Sequence, residues 1–405
     1  MDESMKDTTA ASAAAWEAFC ESLKKASAVL TRTDMVADSR HAGIGARYLG
    51  GLLDSALDLY LHAADPDRPF LFTYFDNHRG WGLANPDGHY LRARLRGDAT
   101  YRVWGKRGTI PYLGFELSRG IWSYTRPTRI DCSLSGRDLQ LGPDGSFEII
   151  LSANAHAGNW LRLEPDVEWL HVRQFYHDWI EDEPPRVFIE RIDRDPGAPE
   201  PPTAAEIAER LRDVAWFVEE ESRLWADYCL HMRGVLGVNV MPQPSTPGGN
   251  EDDMTAASGA PENQYSQGYY RIDAGSALLV EFEPPRAAYW NLQIGPMWYE
   301  SLDPAQRIQS WNDHQAFVGS DGVFRAVLAH RDPGVPNWLD TGGFDEGVML
   351  CRFQFPECTA PQPRTRVVPL ASLAHLLPPD TPRVGADERR RDIARRRHGL
   401  AMRFR

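Results

Sequence analysis

The chain has 405 residues, with 44 Lys plus Arg against 57 Asp plus Glu and a formal net charge of −13. At roughly 150 residues per domain, that length predicts two or three domains, and a 42% apolar fraction is enough to exclude wholesale disorder. The acidic balance argues against a nucleic-acid surface, which needs a basic footprint. No apolar run reaches the ~18–20 residues of a membrane span. The stretch Met1 to Ala15 carries Asp2, Glu3 and Asp7 and no basic-then-apolar pattern, so no secretory signal is expected. Five cysteines (Cys20, Cys132, Cys229, Cys351, Cys358) are odd in number and form no C-x-x-C pair. They predict a reduced, cytoplasmic setting and no cysteine zinc site.

In chain order, Ser12 to Leu59 reads as helix, because Trp16, Phe19, Leu23, Ala26 and Leu30 recur every three to four residues. The Pro- and Asp-containing run Ala63 to Pro69 ends this helical N-terminal segment, residues 1–69. From Phe70 the text changes to short aromatic and β-branched runs, such as Tyr101–Trp104, Tyr112–Phe115, Phe147–Leu151 and Trp169–Arg173. Frequent turn signals between them predict a first β-sandwich unit over 70–195. After the Pro-rich hinge Asp195 to Pro202, Thr203 opens a helix with Glu206 three residues on, a capping box. Ile207, Leu211, Val214, Val218, Trp225 and Met232 continue one face to about Arg233. Pro242 to Gln267 reads as a long loop and a candidate lid, completing a linker region over 196–266. A second β-sandwich unit is expected over 267–358, and a C-terminal extension over 359–405. The helix from Asp380 to Arg405 is rich in arginine, and reads as a solvated or subunit-docking helix through which a homo-oligomer forms.

The two β regions resemble each other. Gly145 to Leu151, Gly158 to Leu161 and Val172 to Phe175 match Gly322 to Leu328, Pro336 to Leu339 and Cys351 to Gln354. Tyr112, Gly97 and Tyr90 match Tyr289, Gly275 and Tyr269. The offset holds at about 178 residues, as a duplicated unit with small loop changes requires. The fold class read from this pattern is mainly β. It comprises two related, jelly-roll-like sandwich units joined by a long helix, with helical segments at both ends.

Three blocks, Trp81-Gly-Leu-Ala-Asn-Pro-Asp87, Tyr289-Trp-Asn-Leu-Gln293 and Ala329 to Asp340, resemble a bacterial family known as domain of unknown function 1214. The resemblance covers most of the chain from Trp81 onward, and the block ending at Asp340 is its most specific part. It implies a jelly-roll-type β-sandwich and carries over no catalytic residues. Many members of that family have a separate domain before this one, where the present chain reads as helical.

Residues identical in both halves are expected to hold the fold. The pairs Asn159-Trp160 and Asn337-Trp338 fit a buried indole beside an Asn that satisfies turn backbone groups. Arg173 and Arg352 fit cross-strand charge pairs. Polar residues that differ between halves are the better site candidates. His330 and Asp332 flank a Pro-Gly turn, with Arg331 between and Asp340 behind. They suit a general base oriented by carboxylates, an N/O metal site, or a capped turn with local hydrogen bonds. Asp87 across the duplication is the candidate partner carboxylate of Asp340, within an Asn-Pro-Asp-Gly run that is also ordinary turn chemistry. Catalytic candidates are therefore His330, Asp332, Asp340 and Asp87. Substrate-binding candidates are Arg331, Trp290, Trp298, Tyr270, His78 and Asp76. No metal is assigned and the cofactor is left unknown.

The chain contains no G-x-S-x-G elbow, GxGxxG, P-loop or H-E-x-x-H motif. Thirteen tryptophans call for either large aromatic cores, an aromatic pocket, or sugar-stacking platforms. The leading expectation is an aromatic-lined cleft that binds a hydrophobic small molecule such as a terpenoid, steroid or aromatic catabolite, with its transformation by the His/Asp cluster as a further option. A carbohydrate-binding module and a non-catalytic assembly protein are the rivals.

Overall fold

The computed structural model describes residues 3–35, 38–76, 78–195, 197–247, 259–260 and 262–403. The opening segment forms α1 (Glu3–Ala26) and α2 (Ser39–Leu57). Asp38 caps α2, its carboxylate accepting the N–H groups of Arg40 and His41 that have no partner inside the helix. The inward face of α2 is Gly45, Tyr48, Leu52 and Ala56. Gly45 is needed there, since a Cβ would run into the Trp298 indole.

Nine strands follow: β1 (Phe72–Thr73), β2 (Gly88–Arg94), β3 (Tyr101–Lys106), β4 (Tyr112–Arg119), β5 (Arg129–Ser135), β6 (Ser146–Ser152), β7 (Asn159–Arg162), β8 (Trp169–Phe175) and β9 (Arg186–Arg191). The long helix α3 (Ala204–Val235) starts at Thr203, with the capping box that the spacing predicts. It packs against α1 and α2. Then come β10 (Asn263–Arg271), β11 (Ser276–Phe282), β12 (Tyr289–Gly295), β13 (Ser310–Asn312), β14 (Phe324–Ala329), β15 (Trp338–Asp340), β16 (Glu346–Gln354) and β17 (Arg364–Pro369). A single turn, α4 (Leu373–Leu376), precedes the basic helix α5 (Ala386–Met402). The expected lid falls partly on residues 248–258 and 261, which lie outside the described residues. Among the described residues, no helix is long and apolar enough to cross a membrane.

The strands form four sheets, ordered β1-β2-β8-β4-β5, β7-β6-β3-β9, β10-β16-β12-β13 and β15-β14-β11-β17. Apart from β1, which has no counterpart, the last two follow the same strand order as the first two, β10 standing where β2 stands and β17 where β9 stands. Each set contains one parallel pair at the corresponding place, β6 with β7 and β14 with β15. Val103, Leu117, Ile149 and Val172 meet in one core between the first two sheets. Val280, Leu292, Phe324 and Phe353 meet in another between the last two. The opposite faces of the β8 and β12 sheets are covered as well. There Trp169 and Tyr289 join the three long helices in a further cluster, so β8, β12 and nearly all of β16 are buried on both sides.

Beyond residue 358, β17 pairs with β11 as β9 pairs with β3. β17 escaped the pattern because it is a mostly exposed edge strand carrying Arg364 and Arg366 rather than an apolar run.

Candidate functional site: a cleft walled by the C-terminal helix

Asn85-Pro-Asp-Gly88 forms the turn its composition predicts. The Gly88 N–H donates to the Asn85 carbonyl at 2.8 Å, and the Asp87 N–H to Asn85 Oδ1 at 3.1 Å. Unlike an ordinary turn it is buried, with Asp87 only 3% exposed. It lies on β12, where Tyr289, Asn291 and Gln293 alternate onto one face. The Tyr289 hydroxyl donates to Asp87 Oδ2 and accepts from Asn85 Nδ2, both at 2.9 Å. Asn291 Nδ2 donates to Asn85 Oδ1, and Gln293 Nε2 to the Ala84 carbonyl, again at 2.9 Å. Two of the sequence blocks read as motifs thus interlock across the duplication.

Asp87 stands at the wall of a cleft of about 260 Å³. Pro86, Asp178 and Trp179 come from the first half of the chain, and Pro304, Trp311, His314 and Gln315 from the second. Asp392, Arg395, Arg396 and Leu400 complete the wall from α5. Arg389, Arg396 and Arg403 are spaced by seven residues, about two helical turns, and so share one face. Each guanidinium lies over an indole: Arg389 over Trp338 at 5.4 Å, Arg396 over Trp311 at 4.8 Å and Arg403 over Trp179 at 5.2 Å. Each also meets an oxygen of the body: Arg389 at Asp332 Oδ2 (2.8 Å), Arg396 at the Ser310 carbonyl (2.6 Å), and Arg403 at the Gly88 carbonyl. Arg395 adds an ion pair to Glu181 at 2.8 Å. The basic helix therefore docks on its own chain.

Burial pushes the Asp87 carboxyl up, against the opposing pull of Arg396 and the Tyr289 hydroxyl. Burial likewise raises Asp392, on the facing helix. His314 at the rim stacks on His177 with ring centroids 5.9 Å apart. His177 Nε2 is 3.1 Å from Asp313 Oδ2. Burial lowers this imidazole, but the hydrogen bond and charge of Asp313 outweigh that and raise it overall. The cleft thus joins a protonatable carboxyl and a guanidinium to a partly aromatic wall.

The other expected site residues have separate surroundings. His330 places Nδ1 2.8 Å from the Thr341 hydroxyl and Nε2 3.3 Å from Asp345 Oδ1. Asp332 caps its turn through the Gly334 N–H at 2.9 Å and holds Arg389. Asp340 does the same with the Gly342 N–H and Arg307, both at 2.8 Å. Arg331 is exposed. Trp290 lies in the sheet-on-sheet core against Phe282 and Phe324, and Tyr270 lies in that core too. Trp298 donates to the His41 carbonyl at 3.1 Å and stacks on Tyr48 of α2. Asp76 accepts the His78 and Arg79 N–H groups and pairs with the Arg79 guanidinium, while His78 itself is exposed. Of the four catalytic candidates, Asp87 is the one that lines the cleft. Sequence reading passed over Arg396 and Trp179 as site residues. The seven-residue arginine spacing was the available signal for the first. Among the described residues, no group of three or more His, Cys, Asp or Glu side chains could hold a metal ion.

No family model matches the chain, and no curated protein does. Among solved structures, a Vibrio parahaemolyticus protein is 13% identical, covering 80% of this chain and 98% of its own, with a TM-score of 0.44. The crystal structure of an uncharacterised protein from Burkholderia cenocepacia is 34% identical, covering 88% of this chain and 97% of its own, with a TM-score of 0.83. With that identity over nearly the whole of its relative, the chain belongs to the same family as the Burkholderia cenocepacia protein.

Proposed function

We propose that the protein binds a small molecule with an apolar or ring-shaped body in the cleft beside α5, and that Asp87 exchanges a proton with its polar group. The observation that carries this reading is the buried Asp87 carboxyl on the wall of a 260 Å³ cleft that also presents Trp179 and Trp311. A cavity of about 150 Å³ holds benzene. The size here favours a one- or two-ring aromatic compound or a small terpenoid over a steroid. In this reading Asp87 takes the proton-handling role expected of His330, and Arg396 steadies the anionic form. Sugar platforms are less well supported, because Arg396 covers one face of Trp311, and Tyr176 and Arg403 flank Trp179. The free state of all five cysteines supports a reduced, cytoplasmic setting. The repeated strand order supports a duplicated sandwich joined by α3. Kinship with domain of unknown function 1214 rests on the resemblance of the Trp81–Asp87, Tyr289–Gln293 and Ala329–Asp340 blocks.

Native mass spectrometry of the purified chain, followed by calorimetric titration with benzoate, 4-hydroxybenzoate, 2-naphthol and camphor, tests the reading. At least one compound is expected to bind one per chain. Trp311→Ala weakens that binding about tenfold or more, and Asp87→Asn flattens its pH dependence. Absence of binding by every compound, with no co-purified molecule, would sink the proposal.

A further inference from the structure

A second cavity, of about 70 Å³, lies farther back along the Trp81–Asp87 segment. Gly82, Leu83 and Ala84 line it, together with Trp225 of α3 and Tyr299. Leu83 and Tyr299 both adopt left-handed backbone, at φ 49° and 51°, and the Leu83 N–H donates to the Tyr299 carbonyl at 2.7 Å. Two non-glycine residues in that conformation, bonded to each other at a cavity wall, are a local strain that only surrounding structure holds, and such strain gathers at binding sites.

Two buried guanidiniums face this space, Arg173 from β8 and Arg352 from β16, at corresponding positions of the duplication. The strand beside each offers a different partner. In the first half, Glu116 of β4 stands opposite His171, and its Oε2 lies 3.0 Å from Arg173 Nε. At the corresponding place, Gln293 of β12 stands opposite Leu350, and its Oε1 accepts from Arg352 Nη1 at 2.7 Å. The other bond of Arg352 runs from Nη2 to the Leu83 carbonyl, also at 2.7 Å. The duplication has thus replaced a carboxylate by a neutral amide. Among the described residues, no carboxylate oxygen lies within 4.0 Å of Arg352. A buried cation without a counter-charge is strongly unfavourable. The surroundings add to the excess: buried Arg92 lies over the rings of Tyr74 and Trp122, which both line the cavity.

We infer that this cavity binds a small organic anion, a carboxylate of about three to six non-hydrogen atoms, held by the Arg352 guanidinium where the first half sets Glu116 beside Arg173. The size follows from the space, about half that of a benzene-binding cavity. The inference is independent of the cleft at Asp87.

The test is calorimetric and thermal-melt titration of the full chain with sodium formate, acetate, oxalate and phosphate, at ionic strength held constant with chloride. One or more carboxylates are expected to bind saturably, one per chain, and to raise the melting temperature. Arg352→Gln, which leaves an amide where the charge was, is expected to weaken that binding at least about tenfold. Should that variant not fold, Arg352→Lys keeps the charge but loses the two-pronged donor, and weaker carboxylate binding is again expected. No carboxylate effect beyond the chloride control would overturn the inference, as would binding of phosphate alone. Unchanged affinity in the folded variants would overturn it too.

Discussion

Asn337 donates from Nδ2 to the carbonyls of Phe317 (2.7 Å) and Arg325 (3.0 Å), and its Oδ1 accepts the Phe317 N–H at 2.8 Å. Asn159 makes the same three bonds to Gln140 and Glu148, at 3.0, 2.9 and 2.8 Å. Beside them, Trp338 donates to the Ala329 carbonyl and Trp160 to the Ser152 carbonyl. Asn337→Ala removes three buried bonds, so about 2–4 kcal/mol of stability should be lost in denaturant unfolding. Asn159→Ala is expected to cost less, because Asn337 alone of the two also holds a left-handed φ, 52°, which alanine tolerates poorly. Glu300 offers a pH test. Burial pushes its carboxyl up to about 7 against the pull of Arg47, from an ordinary value of 4.5. The folded state then holds its proton more tightly than the unfolded chain. The stability this contributes is complete below about pH 4.5 and lost as pH rises through about 7, at most on the order of 3 kcal/mol. Melting temperatures from pH 4.5 to 8 should therefore fall less steeply for Glu300→Gln than for the parent chain. Parallel curves would remove this account.

At the scale of elements, α3 and α5 contrast. The Thr203–Glu206 box and the apolar face of α3 are local patterns, and the helix forms where they predict. For α5 the helix itself was legible, yet its destination was not. Three arginines on one face suit water as well as indoles, and the choice depends on which tryptophans the folded body presents. Truncation after Val384 should expose Trp311 and Trp338, redden tryptophan emission, lower the melting temperature by several degrees and abolish ligand binding in the cleft. Unchanged emission would mean that the helix does not cover these rings in solution.

At the scale of the molecule, the strand order of the last two sheets matches that of the first two, β1 aside. The differences between the halves proved as informative as the identities, for Glu116 against Gln293 separates an arginine beside a carboxylate from one that, among the described residues, has none within 4.0 Å. The rule that differing polar residues mark the site pointed first to His330, Asp332 and Asp340, whose turns and ion pairs are local. Asp87, which lines the cleft, entered only as the candidate partner carboxylate of Asp340. Nothing adjacent in sequence distinguishes these carboxylates.

What the sequence by itself determined were the features decided within a few residues or by a strict period. These are the capped start of α3, the Asn-Pro-Asp-Gly turn, the alternating strands and the matched Asn-Trp pairs. Only the tertiary structure decided that this turn would be buried under Tyr289, that α5 would cover Trp311, and that Arg173 and Arg352 would face one cavity. The reason is physical: hydrogen bonds and periodicity act between near neighbours. Burial, and with it the charge state and reach of a side chain, is set by segments some two hundred or more residues away, as Tyr289 is from Asp87.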